Sequence, residues 1–403
     1  MADWPGRLRR HLDQLRADHQ HRRLRPFDRC AAVVRTADGR ALVNFASNDY
    51  LGLAGDPALG RAAADLARTV GAGAGAARLV SGHLAVHEAL EQRWARFKGA
   101  EAALLLPTGY MANLAALTAL ASSGDVICLD KLCHASLIDA ARHTGAIVRV
   151  FPHGNLDKLA RLLERSRRGD RTAGRRLIVT DSVFSMDGDC ADLGRLCDLR
   201  DRHDAILIVD EAHATGVLGP RGAGLAEHLG LSDRIDLSIA TASKALGSLG
   251  GIIAASRLVI DTIVNSARSF IYTTATPPMV AAAIDAALDV VEAEPERRAR
   301  VAALAQRLRE RLRAGDWAAG WAESWAVPDD PVPMTPIVPL VVGDAAGALD
   351  LADHLDRHGV LAPAIRPPTV APGAARLRLS VRADHRDEHI EQLVAALARY
   401  GRS

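Results

Sequence analysis

The stretch AILIVDEAHATG, residues 205–216, decides how the rest of the chain is read. Its first six residues form an apolar run closed by an acid, short and bounded by turn signals, as expected of a strand buried on both faces. Comparable runs recur on either side: AALLL (102–106), DVICL (125–129), IVRVF (147–151), RLIVT (176–180), DLSIAT (236–241) and GIIAA (251–255). Helix-length segments separate them. The alternation predicts an α/β fold, a mostly parallel sheet with helices on both faces. Ligands of such sheets bind beyond the carboxyl ends of the strands. Polar residues gather there, at Asp181 to Ser185, Asp210 to His213 and Thr241 to Lys244.

Outward from this core, residues 1–50 read as a helical arm followed by a hairpin that turns at Asp38 and Gly39. Residues 51–280 form the expected large domain. From 281 to 403 a smaller α+β domain is expected: a long helical pattern broken near Pro295, a Trp/Pro-rich connection from Trp317 to Pro333, strand-like PIVPLVV, a helix near 346–358, strand-like ARLRLSV and a last helix, DEHIEQLVAALARY.

With 49% hydrophobic and 24% charged residues, the 403-residue chain has enough apolar surface for a substantial core. A net charge of +2 gives no reason to expect a nucleic-acid partner. The local exception is RRLR at Arg22 to Arg25, suited to a solvated face or an acidic substrate. Five cysteines without a C-x-x-C pair argue against a disulfide framework and fit a reducing compartment. The N-terminus lacks a signal-type apolar region, and MVAAAIDAALDVV is broken by Asp well short of the ~18 residues a membrane span needs. A cytoplasmic location with no membrane association is the expectation.

Two motifs mislead. Asp210 to His213 spell the DEAH box of nucleic-acid-stimulated ATPases, yet no lysine follows a glycine anywhere, so the phosphate loop such an ATPase needs is absent. GAGAGAARLVSG (71–82) follows a helical pattern rather than a strand, which argues against a dinucleotide fingerprint and for close approach of backbone.

The lysines are more informative. Of 50 cationic residues only Lys98, Lys131, Lys158 and Lys244 are lysine. Lys98 and Lys158 read as solvated. Lys244 stands in a short Gly/Ser-rich loop, TASKALGSLGG (241–251), and a primary amine can attack a carbonyl where a guanidinium cannot. Pyridoxal phosphate (PLP) needs such an amine to hold its aldehyde and a carboxylate to keep its ring nitrogen protonated. It also needs phosphate donors at a helix N-terminus and something flat over the ring. Asp210 suits the ring nitrogen, Gly109 and Tyr110 in PTGYMANLAALTAL (107–120) suit the phosphate, and His134 in LCHASL suits the ring face.

These stretches, with NFASNDYLGL (44–53), RLVSGHLAVHEALE (78–91), HASLIDA (134–140), TDSVFSMDGD (180–189), YTTATPP (272–278) and AIRPPTVAPGAARLRLS (364–380), closely resemble the α-oxoamine synthases, PLP-dependent transferases of fold type I, over nearly the whole chain. The resemblance implies that Lys244 carries the cofactor and acts as general base, that Asp210 pairs with the ring nitrogen, and that His213 and Ser185 address the phenolic oxygen. His134 would stack on the ring and polarise or orient the acyl substrate. Gly109, Tyr110 and Thr241 would hold the phosphate, with Thr273 reaching in from a partner subunit of a homodimer. IRPPTV resembles the branch that condenses L-alanine with a pimeloyl thioester, carried by coenzyme A or by acyl carrier protein, in biotin synthesis. It implies that Arg366 clamps the alanine carboxylate with Asn48 and Thr369 nearby, and that Arg22 lies near the acyl substrate. No metal is implied. The chain departs from the family pattern at Ala76 and Ala77, where Gly and Ser are expected, and at Ser182, where Gly is usual.

Overall fold

A computed structural model describes residues 3–168, 174–315, 325–329 and 333–400. The chain divides into two compact units, one made of Asn48–Val301 with Pro331–Thr335, the other of Met1–Ser47, Ala302–Asp330 and Pro336–Ser403.

The smaller unit begins with the exposed helix Trp4–Ala17, capped by Asp3. The hairpin β1 (Val33–Arg35) and β2 (Ala41–Asn44) follows and turns at Asp38 and Gly39, as expected; Gly39 has φ +85°.

The larger unit holds a seven-stranded sheet of β3 (Ala102–Leu106), β4 (Val126–Asp130), β5 (Ile147–Phe151), β6 (Arg176–Asp181), β7 (Ile206–Asp210), β8 (Leu237–Thr241) and β9 (Gly251–Ala255). Its order is β3-β9-β8-β7-β6-β4-β5. β4 to β8 run parallel, while β9 is antiparallel to both β8 and β3. The expected strands therefore appear within a residue of their predicted bounds. Burial on both faces fails for β5 alone, where Ile147 and Val150 are exposed; β3, the other edge strand, is buried throughout. One face of the sheet, with Leu104, Ile127, Leu177, Ile208 and Ile253, packs against the alanine-rich helix Gly109–Leu120. Small side chains at Ala112, Ala115 and Ala116, all fully buried, let this helix lie close to the strands and so fix where its first turn sits.

The smaller unit resumes with β10 (Ile337–Gly343), β11 (Val360–Leu361), β12 (Ala364–Ile365) and β13 (Ala375–Ser380). β11 extends the β1–β2 hairpin, and β10, β13 and β12 form an antiparallel sheet. Helices Ala345–Arg357 and Asp387–Leu397 belong to this unit, as the sequence predicts. The long helical pattern resolves into Pro278–Ala293 and Pro295–Ala314, separated at Pro295. Most of the Trp317–Pro333 connection lies outside the described residues. Among the described residues no helix is long and apolar enough to cross a membrane, and all five cysteines are free.

Candidate active site

A pocket of about 260 Å³ in the larger unit lies at the carboxyl ends of β6, β7 and β8 and is lined by Asp181, Asp210, His213, Thr241 and Lys244, among others. Three parallel strands ending side by side bring these residues together.

Asp210, the last residue of β7, is buried. Its Oδ1 accepts from the Ala212 N–H at 2.9 Å and its Oδ2 from Asn113 Nδ2 at 2.8 Å. Asp181 is its register partner on β6. Burial first, and then the charge of Asp210, push the Asp181 carboxyl well above the ordinary carboxylate range. Asp210 keeps two donors on its carboxylate, while burial favours the neutral form of Asp181. A protonated Asp181 leaves the negative charge on the residue expected to face a ring nitrogen.

Lys244 is half-buried in the loop that joins β8 to β9. Those strands are antiparallel neighbours, with Thr241 opposite Gly251, so the loop closes on itself without a crossover. The Ser248 N–H donates to the Ala242 carbonyl at 2.8 Å. Gly247 has φ +60°, and a Cβ there would lie 2.2 Å from the backbone nitrogen of Ala54, so only glycine lets the loop pack this way.

The helix Gly109–Leu120 points its first turn at the pocket. Thr108 caps it: Oγ1 takes the Met111 N–H at 3.2 Å and the carbonyl takes the Ala112 N–H at 3.0 Å. The N–H groups of Gly109 and Tyr110, ahead of these, are the ones an anion would take. A Cβ on Gly109 would touch Thr241 Cβ at 3.3 Å and Oγ1 at 3.4 Å, so the glycine and the threonine hydroxyl form one cradle.

His134 caps the helix Ala135–His143. Its Nδ1 accepts from the Ser136 N–H at 3.3 Å and lies 2.6 Å from Ser136 Oγ, while the His134 backbone N–H donates to Asp181 Oδ1 at 3.3 Å. Burial lowers its pKa; Lys244 adds to this, and Asp210 opposes it. His213, also buried, has Nδ1 2.7 Å from Tyr50 Oη, which in turn donates to Asn48 Oδ1 at 3.2 Å.

Lys244, Asp210, His134, His213, Gly109, Tyr110 and Thr241 thus line one pocket. Ser185 does not: it is half-buried two residues beyond Val183, which does line it. Thr273 is half-buried, with Oγ1 toward the Thr274 carbonyl at 3.5 Å, and lies outside the pocket wall of its own chain. In the smaller unit, Arg366 donates through Nε to the His19 carbonyl and through Nη2 to the His21 carbonyl, the latter at 2.7 Å. Thr369 is exposed and donates its N–H to the Arg366 carbonyl at 3.1 Å. Arg22 is exposed, with Nη1 3.5 Å from the Gln20 carbonyl.

Lys98 corrects its expectation. It is buried, and Nζ donates to Glu211 Oε2 and Thr215 Oγ1, both at 2.8 Å, and to the Ala223 carbonyl. Its apparent place at a solvated helix end misled because the helix Ala85–Lys98 ends against the turn that follows β7. Sequence reasoning also assigned no role to Asn113, Ser136, Asp181 or Tyr50. Signals existed for two: Asn113 lies one helical turn after Gly109, and Ser136 lies two residues after His134 at a helix start. The departure at Ser182 is absorbed locally, since its buried N–H and Oγ both donate to the Asp210 carbonyl, at 2.8 and 3.2 Å. Ala76 and Ala77 pair with Ala275 and Thr274 through the backbone.

A primary amine, a buried carboxylate with a neutral carboxyl beside it, and a glycine-started helix turned toward a threonine hydroxyl form a donor set that fits PLP. The match of residues 40–397 to the family model "Aminotransferase class I and II" agrees. Curated relatives include the 8-amino-7-oxononanoate synthase of Anaeromyxobacter dehalogenans, 46% identical over 98% of this chain and 95% of its own, and that of Alkalilimnicola ehrlichii, 48% identical over 90% and 89%. Among solved structures, a Sphingomonas wittichii serine palmitoyltransferase superimposes with TM-score 0.89 at 27% identity over 100% of this chain and 98% of its own. The 8-amino-7-oxononanoate synthase of Francisella tularensis superimposes at TM-score 0.73 and 27% identity over 89% and 97%.

Proposed function

Because the chain belongs to the class I and II aminotransferase family, we propose that it is an 8-amino-7-oxononanoate synthase, a PLP-dependent acyltransferase of biotin synthesis. The reaction is the decarboxylative condensation of L-alanine with a pimeloyl thioester, giving 8-amino-7-oxononanoate, carbon dioxide and the free thiol. The observation that carries this reading is the shared pocket of Lys244, Asp210, His134 and the Gly109 helix start, in a chain whose named relatives are 46–48% identical over nearly their full length.

Bound in this pocket, PLP supplies an aldehyde for amines and a protonated ring that withdraws electrons from the amino-acid Cα. The protein's residues do the rest. Asp210, whose oxygens accept from the Ala212 N–H and Asn113, would hold the proton at the ring nitrogen. The N–H groups of Gly109 and Tyr110 and the hydroxyl of Thr241 hold the phosphate. Once alanine has displaced it, the Lys244 amine removes the Cα proton. His134, on the wall of the same pocket, would cover the ring and orient the thioester carbonyl. Ser185 and His213 address the phenolic oxygen, His213 being oriented by Tyr50. Arg366 takes the alanine carboxylate through a bidentate pair, with Asn48 and Thr369 supporting it and Arg22 toward the acyl chain. The same proposal includes a cytoplasmic homodimer in which Thr273 of the partner subunit completes the phosphate site.

The deciding assay offers alanine, glycine and serine, each with pimeloyl coenzyme A and with pimeloyl carrier protein. Alanine turnover with either thioester is expected, and serine turnover would move the chain to the serine-using branch. Lys244→Ala is expected to lose both turnover and the visible absorbance of a lysine imine; a variant that keeps both removes Lys244 from the reaction.

A further inference from the structure

Two side chains that touch neither substrate nor cofactor in the reaction above connect two that do. Asn113 Nδ2 lies 2.8 Å from Asp210 Oδ2 and 2.8 Å from Ser136 Oγ, and Ser136 Oγ lies 2.6 Å from His134 Nδ1. Asn113 and Ser136 are 2% and 0% exposed, so solvent does not supply alternative partners. The polarity of this chain is set from both ends. Asp210, an ionised carboxylate, only accepts, so Asn113 turns its amide nitrogen rather than its oxygen toward it. Asn113 Oδ1, facing the other way, is buried with no hydrogen-bond partner, a cost borne to keep the nitrogen aimed at Asp210. The second amide hydrogen goes to Ser136 Oγ, and because the Ser136 backbone N–H already donates to His134 Nδ1, that ring atom is an acceptor and the serine hydroxyl turns its own proton to it.

We propose that Asn113 and Ser136 are positioning residues that lock His134 as the neutral imidazole with its proton on Nε2, using the charge of Asp210 as the reference for the chain. The lock rests on the proposed reaction for its purpose. A neutral ring lies over an electron-withdrawing cofactor without adding charge, and its Nε2–H is a donor for the thioester carbonyl oxygen as negative charge grows there. A proton on Nδ1 would face two donors, so imidazolium formation would have to break the serine contact and the amide contact behind it.

The test uses the holoenzyme labelled with ¹⁵N-histidine, with His134 signals identified by their loss in His134→Asn. In the wild type, Nδ1 is expected at a pyridine-like shift and Nε2 at a pyrrole-like shift across neutral pH; a protonated Nδ1 overturns the proposal with no variant needed. Ser136→Ala removes the donor that favours neutral His134. It should mix the tautomers and move the acid limb of the kcat profile up by about one pH unit, and Ser136→Thr should restore both. Asn113→Leu should shift the limb in the same direction. Unchanged His134 shifts and an unchanged acid limb in a Ser136→Ala protein that melts normally and shows cofactor absorbance would sink the idea. The nitrogen shifts report on the lock even where the substrate assignment fails, so the two readings fall separately.

Discussion

Replacing Lys98 by Met tests how the strand end that carries Asp210 is anchored. All three ammonium hydrogens are engaged, by Glu211, Thr215 and the Ala223 carbonyl, and the side chains of Lys98 and Glu211 are 3% and 2% exposed. Methionine fills much the same volume, so the packing loss is small and the electrostatic loss dominates. Glu211 keeps the Ala226 N–H at 2.9 Å on Oε1 and a long contact from Ser238 Oγ at 3.4 Å, and neither neutralises it. Stranding a buried charge this way costs about 3–5 kcal/mol, a large share of a stability of roughly 5–15 kcal/mol. The double variant Lys98→Met/Glu211→Leu removes both charges and should recover about 2 kcal/mol of that loss, held back by the Ala226 N–H it leaves unpaired. Guanidinium unfolding followed by tryptophan fluorescence reads this directly, since the buried Trp94 lies on the same helix as Lys98. A single variant that loses under about 1 kcal/mol, or a double variant as unstable as the single, refutes the reasoning.

Two shorter predictions follow from the same unit. His153 lies 3.1 Å from Asp130 and 2.8 Å from Asp189; burial acts to lower its pKa, but the bonds to Asp130 and then Asp189 outweigh this and raise it to about 10. Its folded pKa being the higher, this stabilisation is complete below the unfolded value of about 6.5 and is lost as pH rises through about 10, so the gap in melting temperature between wild type and His153→Asn should narrow over that range. A constant gap contradicts the ion-pair account. Gly109→Ala places a Cβ 3.3 Å from Thr241 and should weaken PLP binding about tenfold, equivalent to ~1.4 kcal/mol, with the melting curve of the cofactor-free protein unchanged. An absorbance titration with PLP checks it, and unaltered affinity would take this cradle out of the phosphate site.

What could be read from the sequence follows from which interactions are local. Strands β3 to β9 were legible because each is a short apolar run bounded by turn signals, and residues at the ends of β6, β7 and β8 meet in the pocket. The Gly109 turn was legible because a helix start carries its own signal in Thr108 and the glycine. Asn113, Ser136 and Tyr50 escaped because their partners are 97, 23 and 163 positions away, at Asp210, Asn113 and His213. Lys98 escaped for the same reason: a lysine at a helix end looks solvated until the turn 113 residues later closes over it. The exposure of Ile147 and Val150 on β5 depends on which neighbours cover the strand, which an apolar run does not contain.

The return of β9 alongside β8 has a consequence for how the cofactor is taken up. With Thr241 and Gly251 held in one ladder, the backbone that carries Lys244 is preorganised by a closed turn whose shape is set when the sheet forms. The entropy of ordering that backbone falls on folding and is not subtracted from cofactor affinity. Insertions between residues 244 and 250 should therefore slow and weaken uptake of PLP long before they disturb the sheet.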